Sequence, residues 1–305
     1  MPFLGEVIGL TTVLCWTVSV QFFGAASKEV GATPVNVIRL TVAVLLFSLF
    51  LLVRDGSPIP VGFPLHAWVY LSLSGVVGFF IGDIFLFKAL VELGPRLAML
   101  MHSLAAPASA VIGWLFLGET YIPVQWLGIL VTLSGVAVVI FERSPNGKRP
   151  RASLPKSAAS VKGILFGIGA MLGQAVGFVL SKVGMQVGDG YLDAFSATQI
   201  RALAAFCCFV AYFTLAGKWR NVRKAAANRR ALVYSSTGAF LGPFLGVSLS
   251  LLTLHYLSTG VAATILSLVP VCIIPFSVFL YKEHVSFKAV AGAVVAVLGI
   301  YLLVS

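Results

Sequence analysis

Apolar runs of about twenty residues recur along the whole chain, as at 35–53 and 124–141. Crossing the hydrocarbon core of a bilayer takes roughly 20 residues of helix. Inside that core every backbone N–H and C=O has to be satisfied by the segment itself, which leaves the helix as the structure for single apolar runs. Charge is correspondingly scarce: 10% of the 305 residues are charged and 59% are hydrophobic, against about 25% charged in soluble domains. Mean hydropathy is +1.01. An all-α integral membrane protein is expected. Residues 1–12 lack a basic stretch and a small-residue cleavage site, so no cleavable leader is expected either.

Glycine, proline and charge punctuate the apolar sequence into ten segments, near 4–26, 34–53, 66–92, 95–117, 122–142, 162–186, 192–216, 231–255, 260–281 and 286–304. Short joints are expected at 92–96 and 256–260. The second half repeats the first. At an offset of 164, Gly78 meets Gly242, Gly82 meets Gly246, Ser103 meets Ser267, Glu119 meets Glu283, Gly128 meets Gly292 and Gly135 meets Gly299. Earlier in the chain Ser27-Lys28 matches Ser181-Lys182, and Ile38-Arg39 matches Ile200-Arg201, the second copy carrying extra residues in the loop GDGYLD. The domains read as 1–142 and 162–305, two five-helix repeats joined by a basic linker at 143–161. Five is odd, so the second repeat enters the membrane from the opposite side. Ten transmembrane helices in two inverted repeats are the architecture of secondary transporters.

Two stretches carry a family resemblance. GDIFLFKALVELGPRLAMLMHSLAAPASAVIGWLFLGE (82–119) resembles the core of an EamA-type module of the drug/metabolite transporter superfamily, and STGVAATILSLVPVCIIPFSVFLYKEHVSFKAVAGAVVAVLGIYL (258–302) resembles its partner copy. Trp16 and the Ser27-Lys28 pair are also similar to that module, so the likeness spans about 1–142 and 162–304. It implies a transporter whose relatives export amino acids, sugars, nucleotide sugars and other metabolites. It also implies a cavity walled by helices 1, 3, 4, 6, 8 and 9, which favours Gln21 and Gln174 over Gln199 among the buried amides.

The net charge of +11 sits in two basic stretches, 143–162 and 217–230, and not on a nucleic-acid-binding face. Of the 21 Lys and Arg, 16 fall in odd-numbered loops, two in even-numbered loops and three within helices. Cytoplasmic loops are the basic ones, so the odd loops are expected in the cytoplasm and both termini outside it, in a bacterial inner membrane. Many relatives have cytoplasmic termini, and one helix more or fewer before residue 143 would reverse this orientation.

Asp83 and Lys88 are charges within an oily run. Counted at 1.5 Å per residue from a joint near Gly94, Asp83 lies about 15 Å deep and Lys88 about 9 Å. Lysine at that depth can snorkel to the interface, whereas aspartate must be protonated, paired or wet. Five residues turn the helix by about 500°, so the two side chains point apart. At the matching second-half positions stand Val247, Leu252 and, for His102, Leu266. Charges absent from the second copy are not needed by the fold, which marks Asp83, Lys88 and His102, with neighbouring Ser103, as candidates for substrate or coupling-ion contact. Asp83 is read as a proton or cation site or a counter-charge for substrate; a packing carboxyl is the plainer reading. Gln21 and Gln174 are either ligands or interhelical glue. Arg39 and Arg201 recur in both copies, which suits a structural role or a clasp on an anion. Pro107, Pro270 and Pro275 are expected to break helices 4 and 9 as hinges. Glu119 and Glu283 recur and read as structural; Glu6 lies too near the terminus to read as a membrane carboxylate of transport.

Cys15, Cys207, Cys208 and Cys272 lie in apolar segments without CxxC spacing and read as small buried hydrophobes. No Walker A, HExxH, GxSxG or Cys/His metal cluster occurs, so no cofactor or metal is expected and catalysis is not. The expected partners are a small-molecule metabolite, the lipid bilayer, and a proton or counter-substrate, with the chain a monomer or homodimer. The reading is a secondary transporter of small polar metabolites, amino acids or related compounds, in the direction of export. Two other classes stay open: an intramembrane lipid-modifying enzyme, which would want paired carboxylates or a histidine cluster, and a channel, which would want a continuous pore.

Overall fold

The computed structural model describes residues 3–141, 161–273 and 287–304, nearly all of them helical. Among them, seven helices are long and apolar enough to cross a membrane, and three shorter apolar helices lie at Met101–Leu117, Thr259–Ile273 and Phe287–Leu303. Pro275, Glu283 and most of the basic linker lie outside the described residues.

The first copy begins with α1 (Leu4–Val30) and α2 (Ala32–Asp55). Only Gly31 separates them, at φ +86°, a backbone region that glycine enters without a Cβ clash. Next, α3 (Leu65–Ser74) runs through a π-helical stretch, Gly75–Gly82, into α4 (Asp83–Ser103). After a turn at Leu104 come α5 (Ala105–Leu117) and α6 (Pro123–Phe141). The second copy has α7 (Val161–Met185), a hairpin of β1 (Gln186–Val187) and β2 (Gly190–Tyr191), and α8 (Ala194–Leu215). A short α9 (Trp219–Ala227) precedes α10 (Arg229–Ala239), a second π-helical stretch at Phe240–Val247, and α11 (Ser248–Thr253). The copy closes with α12 (Thr259–Leu266), a turn at 267–268, helical residues 269–273, and α13 (Phe287–Val304). The two π-helical stretches fall within one residue of matching repeat positions, 75–82 against 240–247. The turns match as well, Ser103-Leu104 against Ser267-Leu268.

One expected joint is displaced. The chain is helical across 92–96, and its first turn comes at Leu104. Proline's fixed φ is helical, and in a membrane helix neighbouring groups can satisfy the carbonyl it frees, so Gly94-Pro95 can be carried within a helix. The depth counted from residue 94 falls away with that joint. In the second copy the expected joint is present, as a turn after Thr253 that ends at the start of α12. Another difference is α9, expected as loop. It turns Trp219, Val222 and Ala225 to one side, Val222 and Ala225 being buried, and Trp219 Nε1 donates to Thr214 Oγ1 at 3.0 Å.

The chain divides into two compact units, Met1–Phe80 with Leu180–Tyr256, and Ile81–Val179 with Leu257–Ser305. In the first unit α1 lies along the α10–π segment. A Cβ on Gly238, Gly242 or Gly246 would run into Phe23, Ser19 or Trp16 respectively. Small residues four apart let helices approach this closely, where lipid gives no hydrophobic drive. Ser19 Oγ uses the closeness to donate to the Gly238 carbonyl at 2.9 Å. In the second unit the seam is α6 against α13. Gly128 meets Gly299 and Leu303, while Gly135 meets Gly292 and Ala296. The partner number falls as the residue number rises, so α6 and α13 run antiparallel. Under the repeat offset of 164, contact 128–299 maps onto contact 292–135. The seam is therefore its own image under a two-fold rotation.

Candidate functional site

The sequence candidates divide between the two units. Gln21, Arg39 and Arg201 belong to the first; Asp83, Lys88, His102, Ser103, Pro107, Gln174 and Pro270 belong to the second.

In the first unit Asp193 starts α8 by accepting the Ser196 N–H at 2.8 Å, a side-chain cap that fixes where the helix begins. Arg201 lies eight residues further, about 12 Å along the axis. Its side chain is 2% exposed, the bulkiest of the fully buried residues. The guanidinium carbon stands 4.5 Å from the centroid of Phe79, in the first π-helical stretch. A Cβ on Gly75 would overlap the Arg201 carbonyl, so α8 and the chain at residue 75 touch backbone to backbone. Nε and Nη1 of Arg201 are buried and have no hydrogen-bond partner. The matching Arg39 is half-buried, 5.6 Å from the ring of Phe23 on α1. Gln21 is half-buried on the same helix. Gln199 behaves as glue, donating from Nε2 to Ser48 Oγ at 3.0 Å and to the Pro58 carbonyl at 2.8 Å.

In the second unit Asp83 opens α4 directly after the π-helical stretch and is half-buried. Lys88 is exposed, its Nζ 5.2 Å from the Phe166 ring of α7. His102 and Ser103 are the last two residues of α4; Ser103 is buried, and Nδ1 of His102 is buried with no hydrogen-bond partner. Pro107 falls in the first turn of α5, and Pro270 is second in the helical run 269–273. At a helix start the missing N–H of proline has no partner to lose. The breaks themselves lie just ahead, at Leu104 and at 267–268. Gln174 is half-buried on α7.

Glu119 is a fastening. Its carboxylate accepts the Thr259 backbone N–H at 3.0 Å, the Thr259 hydroxyl at 2.7 Å and the Tyr121 hydroxyl at 2.6 Å. Tyr121 in turn accepts the Gly260 N–H at 3.1 Å. A carboxylate at the first turn of α12 satisfies backbone donors that helix geometry leaves over and faces the positive end of the helix dipole. Burial, then the bond to Glu119, pushes the Tyr121 phenol up to about 12. No group of three or more His, Cys, Asp or Glu able to hold a metal occurs among the described residues.

The family model of the EamA-like transporters matches residues 3–141 and again 161–305. The chain belongs to the EamA-like transporter family. It is thus a multi-pass membrane protein of a transporter family, built from two copies of the family module. The backbone of this EamA-like transporter is also similar to a solved crystal structure, at a TM-score of 0.73 and 18% identity, covering 98% of this chain and 94% of the other. At that identity the likeness concerns the fold. No curated protein matches the sequence.

What sequence reasoning missed in this EamA-like transporter is the isolation of Arg201. Recurrence of Ile-Arg in both copies pointed to a shared scaffold role. The signal lies in two residues far from Arg201 in the chain: a glycine at 75 that admits α8, and a phenylalanine four residues later that covers the guanidinium.

Proposed function

We propose that the protein is a secondary transporter that exports a small polar metabolite, an amino acid or related compound, by exposing one binding site alternately to the two sides of the inner membrane. The observation that carries this reading is the antiparallel α6–α13 seam, whose contacts map onto themselves when the copies are exchanged. Two inverted copies supply two nearly equivalent arrangements of one chain, which is what alternating access requires. Neither a hydrolytic nor an ATP-driven mechanism has residues to support it in the sequence.

In this reading Asp83 is the coupling carboxyl, releasing and taking up a proton as substrate moves. Lys88, His102 and Ser103 on the same helix, with Gln174 of the same unit, supply polar contacts, and Gln21 is a further polar candidate within the first unit. Pro107 and Pro270 act as hinges beside the turns that precede them. With the two most basic stretches, 143–162 and 217–230, both in odd loops, both termini face away from the cytoplasm. A reporter fused after Ser305 should then be accessible from outside; cytoplasmic signal would reverse the orientation.

Counterflow in proteoliposomes tests the function. Vesicles loaded with a candidate amino acid should take up labelled external amino acid transiently and saturably. A flux that never saturates would indicate a pore, and no exchange with any metabolite tested would remove the transport reading. For the coupling role, Asp83→Asn keeps the shape of a protonated carboxyl but cannot release a proton. It should abolish pH-driven flux and preserve exchange at equal pH; normal pH-driven flux would return Asp83 to a packing role.

A further inference from the structure

Arg201 is a buried cation with no ion pair among the described residues. Two other arginines of the first unit are ion-paired. Arg54 is paired with Asp55 at 2.7 Å and Asp193 at 3.0 Å, and Arg230 lies 3.5 Å from Glu29. For Arg201 the described contacts are a ring face and the glycine backbone. A cation over an aromatic ring is stabilised modestly even when desolvated, whereas a charged group at membrane depth, or a buried ion without its pair, is costly unless its charge is balanced. The ring falls short of the cost, and two nitrogens of the guanidinium still lack acceptors. An anion at this position would supply both the missing charge and the missing acceptors.

We propose that Arg201 is an anion-binding residue for substrate within the first unit and that its ligand is a small monocarboxylate group. This rests on the transport reading and narrows it to substrates bearing a carboxylate. One guanidinium, with the repeat-related Arg39 over a different ring, balances one negative charge, which disfavours phosphate monoesters and other dianions. Guanidinium matches carboxylate in planarity and donor spacing, and the pair makes short charge-assisted hydrogen bonds. Phe79 covers one face of the cation, leaving its edges for the ligand. The side chain is closed over in this structure, so the ligand reaches it when α8 separates from the π-helical stretch. That stretch, with its irregular hydrogen bonding, is suited to such a movement.

Binding can be read without transport. The purified full-length protein in detergent is unfolded by heat and followed by tryptophan fluorescence, with sodium acetate or sodium benzoate against acetamide, benzamide, sodium chloride and sodium phosphate at constant ionic strength. The carboxylates should raise the Tm saturably; amides, chloride and phosphate should not. Arg201→Met should lose the carboxylate shift while its ligand-free Tm equals or exceeds that of the parent, because an unpaired buried charge has been removed. Arg201→Lys keeps the charge and lacks the planar fork, so the half-maximal carboxylate concentration should rise tenfold or more; it carries the test if the Met variant does not fold. An equal shift with chloride, a shift that survives both substitutions, or no shift with either carboxylate overturns the assignment. A carboxylate shift without saturable counterflow would leave the site standing and remove the transport reading; counterflow without the shift would do the reverse.

Discussion

The α6–α13 seam and the pair Arg39/Arg201 are both products of the same internal repeat, and the copies use it in opposite ways. At the seam, Gly128, Gly135, Gly292 and Gly299 face one another in an arrangement unchanged by swapping the copies. At the arginines the identical dipeptide Ile-Arg meets different surroundings: Arg39 half-buried near Phe23 of α1, Arg201 fully buried on Phe79 of the π-helical stretch. Backbone contact tolerates no variation, since any Cβ at the seam meets main chain. Side-chain surroundings are freer to diverge. The repeat thus preserves what holds the helices together and varies what handles charge.

The comparison breaks most severely if the seam is not symmetric. Gly135→Val and its mate Gly299→Val should each destabilise strongly, by roughly 1–3 kcal/mol or more from overpacking. The two losses should be of similar size in thermal unfolding of the detergent-solubilised protein. A severe effect in one and none in the other would show that the seam is not equivalent on its two sides.

Next in size are the arginines, where inequality is the expected result. Arg201→Gln should abolish the carboxylate-induced rise in Tm, a loss of roughly 1.5–3 kcal/mol for a charged hydrogen bond. Arg39→Gln should leave it within twofold. Equal losses would make the two a joint clasp and dissolve the contrast drawn here.

Smaller effects come from the rings. Phe79→Leu removes the closer cation–π contact and should lower the Tm by an amount equivalent to about 1 kcal/mol, with Phe23→Leu costing less because its arginine is further away and less buried. The order of the two is the informative quantity.

The smallest effect concerns a histidine that only one copy has. His255, in the turn after α11, stacks on Tyr191 of the hairpin at 4.8 Å. Burial holds its pKa below the ordinary value, Asp193 opposes this and Lys182 adds to it. The neutral ring is the folded form, so its contribution is present above about pH 6.5 and is lost as the pH falls below that value. Between pH 7 and 5 the parent should lose slightly more stability than His255→Gln, measured as the difference in Tm. Identical profiles would mean the stack is indifferent to charge.

Much of this was legible in the residues themselves. The repeat offset of 164 marked the glycines that form the seam and the serines at the matching turns, because glycines at close approaches are hard to replace. Gly94-Pro95 misled for a physical reason: it is strong punctuation in a loop, yet a long helix can absorb it. The real turn, at Ser103-Leu104, contains no residue that disfavours helix. α9 was hidden by Arg220, Arg223 and Lys224, whose polarity outweighs the apolar side formed by Trp219, Val222 and Ala225. The isolation of Arg201 depends on the register of a π-helical stretch, which no spacing rule for α-helices reproduces.

One feature sets the copies apart more plainly than any side chain. Where the first copy joins two helices through Gly31 alone, the second inserts a hydrogen-bonded hairpin, Gln186↔Tyr191, held also by His66 on the Gln186 carbonyl at 3.0 Å and by the Tyr191–His255 stack. A cycle run by two interchangeable halves would rest equally in either end state. A strap present in only one half tilts that balance, and each 1.4 kcal/mol of tilt is a tenfold preference. Under the alternating-access cycle proposed above, the hairpin would bias the resting population to one side of the membrane before any gradient acts, and shortening it would move that population toward evenness.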